Sequence, residues 1–214
     1  MIPDDRLSAY IRSLDTGNAD ILEEIEKEAI EGEVPIIRKD MQIFLKTFLA
    51  MKKPKKILEI GTAVGFSALL MAYNNPTDCK ITTIENYDKR IVIAKENIKR
   101  AGKEDVITLL EGDALFLLPE LSGEYDFIFS DAAKGQYINY LRDIKRLLTK
   151  DGVLITDNIL QDGDLLESKF AVIRRNRTIH KRMREYVYAL THDEDFKTSL
   201  LPVGDGITVS VKIR

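Results

Sequence analysis

The sequence predicts a doubly wound α/β fold: a mostly parallel seven-stranded sheet closed by a C-terminal antiparallel hairpin and preceded by N-terminal helices. Three observations carry this expectation. From Lys56 onward, short apolar runs alternate with segments of helical period, the pattern of a parallel sheet covered on both faces. Three of those runs end on an acid: Glu59, Asp131 and Asp157. The last two runs flank Pro202-Val203-Gly204-Asp205-Gly206, which reads as the turn of a hairpin.

Each element has its own signal. Ile21, Leu22, Ile25 and Ala29 recur at helical spacing among glutamates, until Gly32 and Pro35 break the pattern. A second apolar-periodic helix covers 41–51 and stops at Lys52-Lys53-Pro54. Strands follow at 56–61, 80–85, 106–111, 125–131, 153–157, 196–201 and 207–213. Helices fall between them at 67–73, 89–101, 115–118, 137–148 and 178–190, with Gly102 and Gly152 as stop signals. The expected organisation is one domain over 1–214, with a helical cap at 1–51 and a Rossmann-like core at 52–214.

Composition bounds the class. A chain of 214 residues fits one domain with a sizeable core. No apolar run approaches the roughly 20 residues of a bilayer span, so no membrane partner is expected. Met1-Ile2-Pro3-Asp4-Asp5 lacks a basic stretch followed by an apolar one, so no secretory signal is expected. The single cysteine, Cys79, has no partner for a disulfide or a metal clip and reads as a packing residue. Together these point to the cytoplasm. Charge is unevenly spread. Lys169, Arg174, Arg175, Arg177, Lys181, Arg182 and Arg184 lie in a stretch with no acid, whereas the rest holds 25 basic and 35 acidic residues. Such asymmetry points to a polyanionic partner.

The strand ends carry the candidate chemistry, because ligands in open α/β sheets bind beyond the carboxyl ends of strands. Glu59-Ile60-Gly61-Thr62-Ala63-Val64-Gly65-Phe66-Ser67 gives a glycine turn into a helix start, where backbone can approach a ligand. Its Gly-x-x-x-Gly spacing lacks the middle glycine of the dinucleotide fingerprint. An acid just before the turn is also unwelcoming to a pyrophosphate. Glu85 ends the next strand, where an acid suits bidentate hydrogen bonding to ribose hydroxyls or is simply a solvated strand-end charge. Asp113, in Gly112-Asp113-Ala114, serves equally as a purine reader or a helix cap.

Glu59-x-Gly61-x-x-x-Gly65, Glu85 and Asp113-Ala114 resemble the cofactor site of class I S-adenosylmethionine-dependent methyltransferases. The resemblance covers about Met41 to the C-terminus. It implies that Glu85 holds the ribose, that Asp113 and Ala114 border the adenine, and that the turn from Gly61 to Ser67 cradles the methionine part. Asp131-Ala132-Ala133-Lys134 and Asp157-Asn158 narrow this to divalent-metal-dependent O-methyltransferases of the catechol and caffeoyl-CoA type. By that resemblance Asp131, Asp157 and Asn158 bind Mg²⁺ or Mn²⁺, Lys134 stands beside the reacting hydroxyl, and Asp131 also borders the cofactor. Arg38, Lys39 and Met41 resemble a segment that closes over the cofactor, and related enzymes complete a homodimer with this region.

A metal of this kind asks for two adjacent oxygens on the substrate. A catechol has them; so does 5-hydroxyuridine, in its 5-hydroxyl and O4. The cations of 169–184 favour RNA. Asp131-Ala132-Ala133-Lys134-Gly135-Gln136-Tyr137 and Arg174-Arg175-Asn176-Arg177-Thr178-Ile179-His180 are similar to runs in bacterial tRNA 5-hydroxyuridine methyltransferases. The resemblance implies methylation of 5-hydroxyuridine at the wobble position, with tRNA contacted near its anticodon through Arg174, Arg175, Arg177, Lys181, Arg182 and Arg184. Ile179, Met183, Val187 and Leu190 read as the core stripe of the same helix, and His180 and His192 as surface or RNA-facing. The alternatives are a small catechol or caffeoyl-type substrate, an RNA-binding module without chemistry, and a nicotinamide dehydrogenase. The first shares every catalytic residue, the second is disfavoured by the intact acid set, and the third by the missing glycine.

Overall fold

The computed structural model describes residues 5–214; the segment 1–4, read above for a secretory signal, lies outside them. Seven strands form one sheet in the order β3-β2-β1-β4-β5-β7-β6. They are β1 (Lys56–Ile60), β2 (Lys80–Glu85), β3 (Ile107–Glu111), β4 (Tyr125–Ser130), β5 (Leu148–Thr156), β6 (Phe196–Leu201) and β7 (Ile207–Lys212). β1 to β3 pair in parallel, as do β4 and β5; β7 is antiparallel to both β5 and β6. The mostly parallel sheet with its closing hairpin is therefore as the sequence predicts. Among the described residues eight helices accompany it: α1 (Asp5–Ser13), α2 (Asp20–Glu31), α3 (Lys39–Lys52), α4 (Phe66–Asn74), α5 (Asp88–Arg100), α6 (Ala114–Glu120), α7 (Tyr137–Leu147) and α8 (Arg177–His192). Among the described residues no helix is long and apolar enough to cross a membrane.

The chain divides into two compact units, one running to Ala114 and the other from Leu115 to Arg214. In the first, α2 buries Leu22, Ile25 and Ala29, one stripe at helical spacing. α3 buries Met41, Leu45 and Leu49 in the same way and ends where Lys53 turns left-handed at φ +50°. Ile57, Leu58, Ile60, Ile81 and Ile84 fill the strands, all nearly free of solvent. Gly65 takes φ +84° at the start of α4, a conformation that suits glycine. The Asn97 amide on α5 donates to the Val64 carbonyl at 2.9 Å, so the glycine turn is tied to α5.

In the second unit Phe127, Ile128, Phe129, Leu154 and Ile155 form the buried strand core. β5 begins earlier than expected. Leu148 already pairs with Tyr125, and the register then shifts before Phe127 meets Val153. Asp151 stands at φ +61° within this irregularity, and a Cβ on Gly152 would lie 2.8 Å from the Thr149 carbonyl oxygen. Gly152 thus lets a strand bend where the sequence predicts only the stop of a helix.

α8 also sits differently. Its buried face is His180, Met183, Tyr186 and Leu190, while Ile179 is 37% exposed. His180 corrects the expectation of a surface residue: it is 2% exposed, and its Nε2 lies 3.2 Å from the Glu167 carbonyl. An imidazole can occupy an apolar face when a backbone group satisfies it. His192 is exposed, as expected, and stacks on Tyr188.

Candidate active site

Parallel register builds the first cluster. Ile60 pairs with Ile84, so the residues that follow, Gly61 and Glu85, emerge side by side; Gly61 and Thr62 both donate backbone N–H to Ile84. Glu85 in turn pairs with Glu111, and Gly112 donates to the Glu85 carbonyl at 2.8 Å, bringing the Gly112-Asp113-Ala114 turn alongside. The Glu85 carboxylate is 92% buried as a residue and collects three backbone donors: Ala63 on Oε2 at 2.8 Å, and Asn86 and Tyr87 on Oε1, both at 2.9 Å. A carboxylate has about four acceptor sites. These three bonds leave one, on Oε2, for a ligand hydroxyl.

Glu59 is fully buried and accepts from the Thr83 hydroxyl, which also meets the Thr62 hydroxyl. This chain of side chains braces the strand ends below the glycine turn. Ser67 is buried in the first turn of α4, and Met41 is fully buried on α3. Gly61 and Gly65, both at positive φ, and Ala63 at φ +46° shape the turn. The residues thus fit an adenosine-bearing cofactor in one specific respect: a buried acid at the second strand end with acceptor capacity left, beside a glycine turn.

The second cluster uses the same device. Ser130 pairs with Thr156, and the Asp157 N–H donates to the Ser130 carbonyl at 3.0 Å, so Asp131 and Asp157 leave adjacent strands together. Asn158 adopts φ +59°. From there its backbone N–H donates to Asp157 Oδ1 and its Nδ2 to Asp131 Oδ1, both at 2.7 Å. Burial pushes the Asp131 carboxyl above its usual range, against the opposing pull of the Asn158 hydrogen bond and the Lys134 charge. Two carboxylates here carry more negative charge than one lysine offsets. A hard divalent cation would relieve that, and the all-oxygen donors Asp131, Asp157 and Asn158 fit it; Asn158 would then turn its amide oxygen inward. Among the described residues no group of three His, Cys, Asp or Glu is arranged to hold a metal.

Lys134 opens a short 3-10 turn, 134–136, that follows Asp131. Its Nζ lies 3.1 Å from Asp205 Oδ2, and Asp205 is 4% exposed at its side chain. Asp205 is not among the site residues that the sequence predicts. Its only signal was the Gly204-Asp205-Gly206 turn. Gly206 stands at φ +77°, and a Cβ there would come within 2.3 Å of Leu160 Cγ. Glycine therefore lets the hairpin approach, with Ile159 and Leu160 donating to the Gly206 and Asp205 carbonyls at 2.9 and 2.8 Å. Tyr137 was missed as well. Its buried hydroxyl faces the Ala132 and Asp157 carbonyls at 3.1 and 3.2 Å. Burial, then the charges of Asp131 and Asp157, hold the phenol well above its ordinary pKa, so it stays a donor.

The basic segment packs on this second cluster. Arg182 Nη1 donates to the Gly135 carbonyl at 3.2 Å, and Gly135 faces Ile179. Arg177 ties down the preceding loop, donating to Val172 and Phe170 carbonyls at 3.1 and 3.3 Å, and Arg184 reaches Glu167 at 3.5 Å. Arg174 and Arg175 are exposed on a 3-10 turn, and Lys181 pairs loosely with Glu185 at 3.6 Å.

Residues 12–213 match the O-methyltransferase family, and the chain belongs to it. Caffeoyl-CoA O-methyltransferase of Medicago sativa is 34% identical over 178 residues, spanning 80% of this chain and 72% of that protein. A Staphylococcus aureus structure, described provisionally as a caffeoyl-CoA O-methyltransferase, is 32% identical with a TM-score of 0.89 over 98% of this chain and all of that one. The S-adenosylhomocysteine-bound methyltransferase of Podospora anserina is 29% identical, with a TM-score of 0.87 over 98% and 94% of the two chains.

Proposed function

We propose that this protein methylates the 5-hydroxyl of 5-hydroxyuridine at the tRNA wobble position, giving 5-methoxyuridine, with S-adenosylmethionine as donor and Mg²⁺ or Mn²⁺ bound. The observation that carries the RNA substrate is the bond from Arg182 to Gly135. It joins the most basic helix of the chain to the turn that bears Lys134, and a small catechol gives seven clustered cations no purpose.

In this reading Glu85 accepts a ribose hydroxyl at its remaining site, Asp113 and Ala114 border the adenine, and the turn from Gly61 to Ser67 admits the methionine part. Glu59 braces that turn through Thr83, and Met41 helps to cover it. Bound S-adenosylmethionine supplies an electrophilic methyl group. Asp131, Asp157 and Asn158 would hold the cation, which would supply Lewis acidity and make a nearby substrate hydroxyl easier to ionise. Lys134 then faces the reacting oxygen. Its Nζ, placed 3.1 Å from Oδ2 of buried Asp205, either takes the hydroxyl proton as a neutral amine or, as an ammonium with that proton passing to water, stabilises the developing oxyanion. Asp131 balances that charge and fixes Asn158. The rest of the rate comes from positioning the two reactants. A homodimer completing the cofactor cover at the N-terminal helices belongs to the same proposal.

The runner-up is a small catechol or caffeoyl-type substrate, and the name of the Medicago sativa relative favours it. Labelled S-adenosylmethionine, offered with and without EDTA to tRNA carrying 5-hydroxyuridine and in parallel to a catechol, separates the two. Metal-dependent label on the tRNA supports the proposal; label on the catechol alone refutes it.

A further inference from the structure

A cleft of about 450 Å³ opens along the first turns of α8, lined by Lys169, Arg177, Thr178, Lys181, Arg182 and Glu185. Four cations face one carboxylate, and that carboxylate lies 3.6 Å from Lys181. The cleft therefore keeps a surplus of positive charge. Two of its cations are already oriented by the fold: Arg177 by the Val172 and Phe170 carbonyls, and Arg182 by Gly135. Oriented guanidinium groups lose less freedom on meeting an oxyanion than free surface chains do.

A second observation adjoins the first. Phe170 follows Lys169, its carbonyl is held by Arg177, and its ring is 85% exposed. An aromatic ring that open beside cations is the pairing used on single-stranded nucleic acid, where phosphates meet Arg and Lys while bases stack on rings.

Resting on the wobble-uridine reading, we infer that this cleft clamps a backbone phosphate of the RNA next to the modified nucleotide, with Phe170 stacking on a neighbouring base. Because Arg182 also holds Gly135, the clamp is anchored one residue from Lys134. RNA seated in the cleft is thus registered against the turn that serves the chemistry.

The test is fluorescence anisotropy with an anticodon stem-loop that carries ordinary uridine at the wobble position, so that binding is read without turnover. The Lys169→Glu/Lys181→Glu variant should weaken binding and flatten the slope of log affinity against log salt by about 1.4, two contacts at about 0.7 each. Phe170→Ala should weaken binding about 5- to 100-fold at an unchanged slope. All three positions are exposed, so thermal unfolding and calorimetric binding of S-adenosylmethionine should match the wild type. Wild-type affinity and slope in both variants, with the parent binding RNA well, overturns the clamp and leaves the wobble-uridine reading standing. A parent that binds no RNA yet methylates a catechol overturns both. Coenzyme A that displaces the RNA, and loses affinity in the same variants, overturns the RNA assignment in favour of a nucleotide thioester.

Discussion

Exchanging Glu85 for glutamine replaces one oxygen with nitrogen, and the structure makes that exchange costly. Glu85 accepts three backbone N–H groups, two on Oε1 and one on Oε2. An amide has one acceptor oxygen. If it faces Asn86 and Tyr87, the new NH₂ points at the Ala63 N–H, donor against donor; the opposite orientation leaves two N–H groups facing a donor. The better orientation forfeits one charge-assisted bond, worth about 1.5–3 kcal/mol, and weakens two others. We expect Glu85→Gln to lose about 3 kcal/mol of stability in urea unfolding, roughly 6–12 °C of melting temperature for a domain of this size. S-adenosylmethionine affinity, measured by calorimetry, should fall at least about tenfold, because the remaining acceptor site on Oε2 becomes a donor or is turned away. A variant within about 0.5 kcal/mol of wild type with unchanged cofactor affinity would refute the argument, since it would mean that these three bonds neither shape the turn nor serve the ligand.

Three other perturbations test the second unit and the N-terminal helices. Asp131→Ala should cut metal-dependent methyl transfer by about 100-fold or more and abolish the heat of Mn²⁺ binding. Without metal its melting temperature should equal or exceed the wild type's, because burial disfavours the ionised carboxylate; a large drop would mean the acid is structural. Gly206→Ala should cost about 3 kcal/mol or more in urea unfolding, from strained φ and overlap with Leu160, and a near-wild-type variant would remove the account of how Asp205 reaches Lys134. Asp15 is buried, which opposes ionisation, but Lys46 and Lys39 outweigh that and hold its carboxyl below 3.8. Its contribution is present above about pH 4 and is lost as pH falls through the lowered value. Asp15→Asn should therefore lower the melting temperature at pH 7, by an amount that shrinks as pH falls through that lowered value.

The strand ends were legible because parallel register is a local rule. Once 125–131 and 153–157 read as neighbouring strands, Asp131 and Asp157 had to emerge together, and the same holds for Gly61 and Glu85. What escaped depends on distant approach. Asp205 lies 71 positions from Lys134, and no periodicity links a hairpin turn to a 3-10 turn. The face of α8 escaped because two stripes overlap on it. Apolar spacing chose Ile179, whereas packing chose His180, whose ring is satisfied by a carbonyl that the sequence does not reveal. Arg177 and Arg182 read as free cations, yet both hold backbone carbonyls. Charge is visible in a sequence; what a long side chain leans on is not.

Tyr137 has a consequence of its own for the proposed cation site. Its hydroxyl bridges the carbonyls of Ala132 and Asp157, and its ring leans on Tyr186, whose hydroxyl meets Thr156 on β5. Two aromatic pillars thus brace the strand ends that carry the acids, with their hydroxyls turned to protein groups. Ions differ in how much play they tolerate: Mg²⁺ insists on a near-ideal octahedron, while Ca²⁺ accepts six to eight oxygens in looser arrangements. If the acids hold a cation as proposed, a mount this stiff would act as a gauge for ionic radius. Cutting the bridge with Phe at position 137 would leave every oxygen donor in the chain and still tilt the preference towards the larger ion.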